Sequence, residues 1–159
     1  MLENRQEFKQ VHEEIMAVNS RIDRTIGALG ARWWLNAERS FRDALAEILE
    51  QSSGVKVVNV DEPDDEETVF GRPDRVELDV VIHNGVLILI EIKSSIDKAG
   101  MYIFERKVRF YEHRHGRTVQ QLIVISPMVE PQAREVSKQL GIKLYADSVE
   151  VPVQTVRSP

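Results

Sequence analysis

An apolar seam with spacings of three and four residues runs through the beginning of the chain and predicts one long helix over residues 3–29. The seam is narrow and the other faces are charged, which favours a coiled coil between two subunits. We therefore expect residues 1–29 to form an N-terminal oligomerisation helix and the protein to be a homodimer or a higher homo-oligomer. The alternative is an amphipathic helix that lies on its own domain. The seam consists of Phe8, Val11, Ile15, Val18, Ile22, Thr25 and Leu29.

The remaining residues, 30–159, follow strand and helix periodicities in turn and are predicted to form one domain. The order of these elements predicts an α/β fold, in which a mixed β-sheet is flanked by helices and preceded by the long N-terminal helix. Helices are expected over residues 36–54, 97–114 and 130–141, and strands over residues 55–60, 75–82, 86–95, 119–126 and 142–146.

An unbroken apolar run, Val-Leu-Ile-Leu-Ile, predicts a strand buried on both faces, yet this strand continues into Glu91 and Lys93. Strand side chains alternate, so these two charged residues share a face. The preceding strand carries Asp79 and is joined to this one through Asn84-Gly85, a strong hairpin signal. The position of Asp79 relative to Glu91 and Lys93 therefore depends on the register of the hairpin.

Two registers are compatible with this hairpin. A two-residue turn pairs Asp79 with Ile90, and on each face it mixes the apolar row of one strand with the charged residues of the other. A three-residue loop pairs Ile82 with Val86, collects the aliphatic side chains on one face, and brings Asp79 to the face of Glu91. We expect the second register, because it separates apolar from charged side chains.

Carboxylates on a partly apolar sheet face need counter-charges, and two carboxylates need more than a single lysine. One interpretation is an exposed face with cross-strand ion pairs. The other is a divalent cation held by Asp79 and Glu91, since Mg²⁺ takes one or two carboxylates together with substrate phosphate. The ion would polarise a phosphoryl oxygen and lower the pKa of a bound water. Lys93 would either orient that water or neutralise charge on the phosphate, and the set suits phosphodiester hydrolysis.

The composition narrows the chemistry further. With 159 residues, 42% of them apolar and 30% charged, the chain has the size and mix of a globular domain. It has no cysteine, which excludes disulfides, thiolate metal sites and cysteine nucleophiles. The absence of a long apolar stretch and of a signal-peptide core leads us to expect a cytoplasmic protein. The net charge of −5 counts mildly against nucleic acid as a partner, although six acids are concentrated in residues 61–67.

Asp79, eleven further residues and then Glu91-Ile92-Lys93, set on a hairpin between two helices, resemble the signature of the PD-(D/E)xK superfamily of restriction-endonuclease-like nucleases. The stretches GARWWLNAERSFRDAL, ELDVVIHNG and EIKSS are also similar to an uncharacterised prokaryotic branch of that superfamily, whose members often carry an N-terminal coiled coil. Leu78 stands where the name of the superfamily has proline, and that position varies widely.

The resemblance implies a divalent-metal-dependent nuclease that hydrolyses phosphodiester bonds in DNA, with RNA as a second possible substrate. It implies Mg²⁺ or Mn²⁺ bound by Asp79 and Glu91, with the Ile92 carbonyl as a third ligand. Lys93 would be the catalytic lysine. The alternative function is a module with a nuclease-like fold that binds nucleic acid or a partner protein without cleaving it.

The same resemblance gives a role to two further groups of residues. Glu38 matches the acid that many members add to the site from a helix, and its alternative role is an ion pair with Arg42, one helical turn away. Basic residues on the helix after Lys93 would line the nucleic-acid path, although such a run is usually a solvated helix face. These basic residues are Lys98, Arg106, Lys107 and Arg109.

Overall fold

The computed structural model describes residues 2–29, 38–51 and 54–146. Two helices come first, α1 (Leu2–Leu29) and α2 (Glu38–Glu50). The strands are β1 (Val55–Asp64), β2 (Asp74–His83), β3 (Val86–Ile92), β4 (Ser95–Ile96), β5 (Gln121–Ile125), β6 (Met128–Val129) and β7 (Ile142–Tyr145), and the later helices are α3 (Lys98–His115) and α4 (Pro131–Leu140).

Five strands form one mixed sheet in the order β1-β2-β3-β5-β7. The first three are antiparallel neighbours, whereas β3, β5 and β7 are parallel, because α3 and α4 carry the chain back between them. The predicted α/β fold, a mixed sheet flanked by helices and preceded by a long helix, is therefore confirmed. The short strands β4 and β6, which pair in parallel with each other, were not predicted.

The connection between β2 and β3 has two residues, so the predicted three-residue loop and its register are wrong. Asn84 and Gly85 both adopt left-handed backbone conformations, with φ angles of 51° and 83°, as a type I′ hairpin turn requires. His83 therefore pairs with Val86, and Asp79 pairs with Ile90. The turn chemistry determines the register here, and the separation of apolar from charged side chains does not.

That separation is unnecessary because helices cover both faces of the sheet. On one face, α3 and α4 pack over the apolar residues of β2 and β3 that include Leu78, Val80 and Leu89. On the other face, α1 and α2 pack over a second cluster that includes Val81 and Ile90. Each face of the hairpin is thus apolar along most of its length in the two-residue register, and neither has to be turned to solvent.

The seam of α1 contributes to the second of these clusters. Val18 and Ile22 are completely buried beside Leu45 and Leu49 of α2, and Val11 and Ile15 pack against the same cluster. For this part of the seam, the structure matches the alternative of an amphipathic helix that lies on its own domain. Self-association through residues 1–29, and the division of the chain at residue 30, stay predictions.

Residues 36 and 37 of the predicted helix over residues 36–54, and the chain after residue 146, lie outside the described residues. Among the described helices, none combines the length and the apolar character that a membrane span requires.

Replacing Ile22 by Ala should lower the free energy of unfolding by about 2–5 kcal/mol, because the side chain has no exposed surface and its removal leaves a cavity. Urea denaturation measures the change. Met16→Ala, in the same helix at a side chain that is 52% exposed, is the control and should change stability by less than about 0.5 kcal/mol. Equal effects of the two substitutions would show that α1 does not belong to the core.

Candidate active site

The antiparallel pairing of β2 and β3 ends at Asp79 and Ile90. Beyond that point β2 remains paired with β1 back to Asp74, and β3 remains paired with β5 up to Ile92. The two strands therefore diverge and leave an opening between them. We call this opening the fork; residues 74–78 of β2 lie on one side, and residues 91–92 of β3 followed by Lys93 lie on the other. The predicted catalytic residues of the hairpin lie at the base and along one side of the fork.

Asp79, at the base of the fork, points to the face covered by α2. Its carboxylate is nearly buried, with 4% of the residue exposed, and both of its oxygens are bound. The Arg42 guanidinium of α2 donates to Oδ2 at 2.6 Å, and the Asn59 side chain of β1 donates to Oδ1 at 3.0 Å. Arg42 also lies 3.6 Å from the Glu77 carboxylate, so one cation serves two acids of β2.

Glu91 points to the opposite face, toward α3, and is 7% exposed. The Lys107 ammonium of α3 donates to its two carboxylate oxygens at 2.9 and 3.3 Å. Burial raises the pKa of the Glu91 carboxyl, the Lys107 and Lys93 ammonium groups partly offset that increase, and the Asp79 carboxylate adds to it. The two acids thus interact electrostatically, although helices on opposite sides of the sheet hold them.

The expectation that Asp79 and Glu91 project from one face of the sheet is therefore wrong. It followed from the three-residue loop, and a change of register by one residue moves every side chain of a strand to the other face. With a two-residue turn, the residue beside Asp79 is Ile90, and Glu91 follows it on the opposite face. The two carboxylates can reach a common ligand only through the fork, where no strand lies between them.

The Ile92 carbonyl faces the same opening. The backbone N–H of Lys93 donates to the Ile125 carbonyl of β5 at 3.0 Å, so the backbone of Lys93 is directed toward β5. Backbone groups of successive strand residues point to alternate edges, which turns the carbonyl of Ile92 toward β2. Its role as a metal ligand stays a prediction.

Lys93 follows directly after β3 and is exposed. Among the described residues, none forms a hydrogen bond or ion pair with its ammonium group. It lines a cavity of about 750 Å³ together with Ser94, Ser95 and Glu130. The cavity lies beyond the carboxyl ends of β3 and β5, which is where open α/β sheets usually bind their ligands. Lys93 therefore offers a positive charge to a molecule in this cavity.

Glu38 is the first residue of α2, but its side chain lies outside the described part of the structure. Its role in the site stays a prediction. Arg42, one turn further along α2, binds Asp79.

The four basic residues predicted to line the nucleic-acid path do not form one set of unpaired charges. Arg106 donates to the Val69 carbonyl at 2.9 Å, and Arg109 forms an ion pair with Glu112 at 2.7 Å. Lys98, at the start of α3, is exposed. The fourth residue, Lys107, lies in the fork. The binding of nucleic acid by these residues stays a prediction. Lys98 is the best candidate among them, because it is exposed.

The ion pairs of Arg42 with Asp79 and of Lys107 with Glu91 were not predicted from the sequence. A signal existed for Lys107, since the buried residues Phe104, Val108 and Tyr111 define the inward face of α3 and Lys107 lies on it. A lysine on a face that packs against a sheet needs a buried partner. For Arg42 the spacing to Glu38 suggested a partner on the same helix, and no local pattern indicated the bond to Asp79.

Comparison with known proteins identifies the part of the chain that contains the fork. Residues 74–143 match the family model of the PD-(D/E)XK nuclease superfamily. The predicted resemblance to that superfamily is confirmed for this part of the chain. Residues 1–73 match a second family model, described as a protein of unknown function (DUF3782).

Solved structures of two other proteins are similar in fold to this chain. A repair endonuclease from Pyrococcus abyssi has a TM-score of 0.51 at 16% identity, over 70% of this chain and 46% of that one. A structure of EndoMS in apo form has a TM-score of 0.51 at 15% identity, with the same coverage. The chain thus spans less than half the length of these structures. No curated protein matches it.

Nucleases of this superfamily generally use divalent metal ions. The oxygens at the fork fit such a hard cation, because they already surround a positive charge. The Lys107 ammonium lies within hydrogen-bond distance of both Glu91 oxygens and of the Glu77 carbonyl. In the described part of the chain, no three Asp, Glu or His side chains come together as a metal site. An ion would therefore depend on Asp79, Glu91, backbone carbonyls and water.

Arg42→Met should lower the free energy of unfolding by about 3 kcal/mol, because it leaves the Asp79 carboxylate buried without its cation. Adding Asp79→Asn should restore most of that loss, since the charge that needs the arginine is then gone. A double-mutant cycle by urea denaturation measures the coupling. Arg72→Met, at a side chain that is 75% exposed, is the control, and additive effects of the first two substitutions would contradict the pairing.

Proposed function

We propose that the protein is a divalent-metal-dependent nuclease that hydrolyses phosphodiester bonds in DNA. The observation that carries the proposal is the fork of a PD-(D/E)XK nuclease domain, where two buried carboxylates flank an opening beside an exposed lysine. Such carboxylates are unusual in a sheet covered on both faces, where aliphatic residues otherwise predominate. Burial raises the pKa of the Glu91 carboxyl, and a buried acid with a shifted pKa is typical of catalytic sites.

Asp79, Glu91 and the Ile92 carbonyl would hold Mg²⁺ or Mn²⁺, which supplies charge stabilisation at a phosphoryl oxygen and a more acidic bound water. Lys93 would bind the phosphate that undergoes cleavage, because its ammonium is exposed in the cavity. It would neutralise the negative charge that increases on that phosphate in the transition state. Glu38 would add a further acid from the start of α2.

DNA is the favoured substrate because one solved structure with the same fold is described as a repair endonuclease. The cavity beside Lys93 contains Ser94 and Ser95, whose hydroxyl groups could donate hydrogen bonds to a phosphate. Lys98 would add a phosphate contact next to the cavity, at the first position of α3. Cleavage of RNA alone in the assay below would replace DNA by RNA in the proposal.

Binding without cleavage is the second candidate function. It is favoured by one observation, that each of the two acids already has a cationic partner, Arg42 for Asp79 and Lys107 for Glu91. Acids that are neutralised by protein cations do not require a metal ion for stability. Such a site is compatible with a module that binds nucleic acid or a partner protein without cleaving it. The cleavage assay separates the two functions.

Purified protein with Mn²⁺ should cleave labelled DNA, and Lys93→Met should lower the rate by at least about 10²-fold while the fold persists, because the lysine is exposed beyond the end of a strand. Asp79→Asn should also lose activity. Lys138→Met, at an exposed position of α4, is the matched control and should retain the wild-type rate. Single- and double-stranded DNA and RNA are compared by gel electrophoresis, with circular dichroism to verify folding. Equal rates for the Lys93 variant and the wild type would remove its catalytic role.

We also propose that the protein acts in the cytoplasm as a homodimer in which α1 contributes to the contact. The half of α1 before Val18 is the better candidate for that contact, because Val11 and Ile15 are only partly buried within the chain whereas Val18 and Ile22 are completely buried. Sedimentation equilibrium should give twice the chain mass of 18.3 kDa. A single species at the chain mass over the whole concentration range would rule out the dimer.

A further inference from the structure

The Lys107 ammonium lies in the fork itself. It is 2.9 and 3.3 Å from the Glu91 carboxylate oxygens and 3.4 Å from the Glu77 carbonyl oxygen. Glu77 belongs to β2 and Glu91 to β3, so the ammonium bridges the two strands at the point where they diverge. Only 12% of the Lys107 side chain is exposed, which means that the protein and not water supplies most of its surroundings.

The position of Lys107 on α3 indicates a specific role for its charge. Phe104, Val108 and Tyr111 are the buried neighbours on the same helix face, and all of them belong to the apolar cluster. An apolar residue would satisfy packing at this position, because well-packed hydrophobic side chains often replace a buried ion pair without loss of stability. A lysine here is therefore better explained by its partner Glu91 than by packing.

The Lys107 ammonium and a metal ion would carry positive charge to the same carboxylate, that of Glu91. Lys107 uses both oxygens of Glu91, the carboxylate that would also bind the metal. Two cations on one buried carboxylate repel each other strongly, because the surroundings are poor in water and screen the charges weakly. We therefore expect a divalent ion that binds Glu91 to draw the carboxylate away from the Lys107 ammonium.

We propose that Lys107 is a tethered competitor of the metal, which neutralises Glu91 while the ion is absent and leaves it when a divalent cation binds. Lys107 is thus a positioning residue, which keeps the Glu91 carboxylate at the fork. This inference rests on the proposed function and deepens it. The affinity of the protein for the ion is lowered by the free energy needed to displace the lysine.

The direct test is Mn²⁺ binding by isothermal titration calorimetry, without substrate. Lys107→Met should bind Mn²⁺ about tenfold more tightly than the wild type, because no charge-assisted hydrogen bond has to be broken. Lys138→Met, an exposed lysine of α4, should bind like the wild type. Adding Glu91→Gln to Lys107→Met should remove the gain. Equal or weaker binding by a folded Lys107→Met protein overturns the proposal.

A second measurement uses the wild-type chain and does not depend on a variant that folds. Acetylation of each lysine by acetic anhydride is followed by mass spectrometry during a Mn²⁺ titration. The reactivity of Lys107 should rise as Mn²⁺ saturates the protein, since the released ammonium becomes accessible, while that of Lys138 stays constant. Unchanged reactivity of Lys107 at a saturating Mn²⁺ concentration overturns the proposal.

The two proposals fail in different ways. If the wild type binds Mn²⁺ and cleaves DNA but Lys107 stays unreactive, only the competition is refuted and the nuclease function holds. If neither the wild type nor Lys107→Met binds Mn²⁺, the competition is refuted. The cleavage assay then decides separately whether the protein is a nuclease.

Discussion

The two-residue turn at Asn84 and Gly85 sets the register of β2 on β3, and the geometry of the site follows from it. Both residues have positive φ angles, a conformation that asparagine and glycine adopt more readily than other residues. With this turn Asp79 pairs with Ile90, and the next residue, Glu91, points to the other side of the sheet. The divergence of the strands just beyond this pair allows acids from opposite faces to act on one opening.

The acids at the fork are stable because each has its own cation. Arg42 approaches Asp79 from α2, and Lys107 approaches Glu91 from α3. Both cations are themselves partly buried, so each pair is screened from water far less than a surface ion pair. Helices on the two sides of the sheet are thereby joined electrostatically to the same short stretch of the hairpin. The exposed ammonium of Lys93 adds a smaller electrostatic contribution at Glu91 and lines the cavity, where it is available to a ligand.

The sequence was sufficient to predict the helices, the main strands and the superfamily, because these depend on periodicity and on a local signature. The register could not be obtained from the apolar pattern alone. That pattern suggested one apolar and one charged face, whereas the helices that cover both faces make the distinction irrelevant. The preference of Asn84-Gly85 for a two-residue turn was the better guide, since it depends on backbone conformation and not on assumed exposure.

The partners of the acids were harder to predict for a related reason. Arg42 lies 37 residues from Asp79, and Lys107 lies 16 residues from Glu91, so no spacing rule connects them. Only the packing of α2 and α3 on opposite sides of the sheet brings them together. The short strands β4 and β6 contain two residues each, which is too few for a recognisable alternation.

The pairing of β1 with β2 has a consequence for how the chain is divided. The two family models meet between residues 73 and 74. The strands β1 and β2 lie on either side of that boundary and are paired at ten positions, from Val55 opposite His83 to Asp64 opposite Asp74. A fragment that begins at residue 74 would lose the neighbour of β2 and the α2 arginine that holds Asp79, and would expose an unprotected sheet edge. The boundary between the two sequence families therefore falls inside one hydrogen-bonded sheet, and residues on both sides of it surround the same carboxylate.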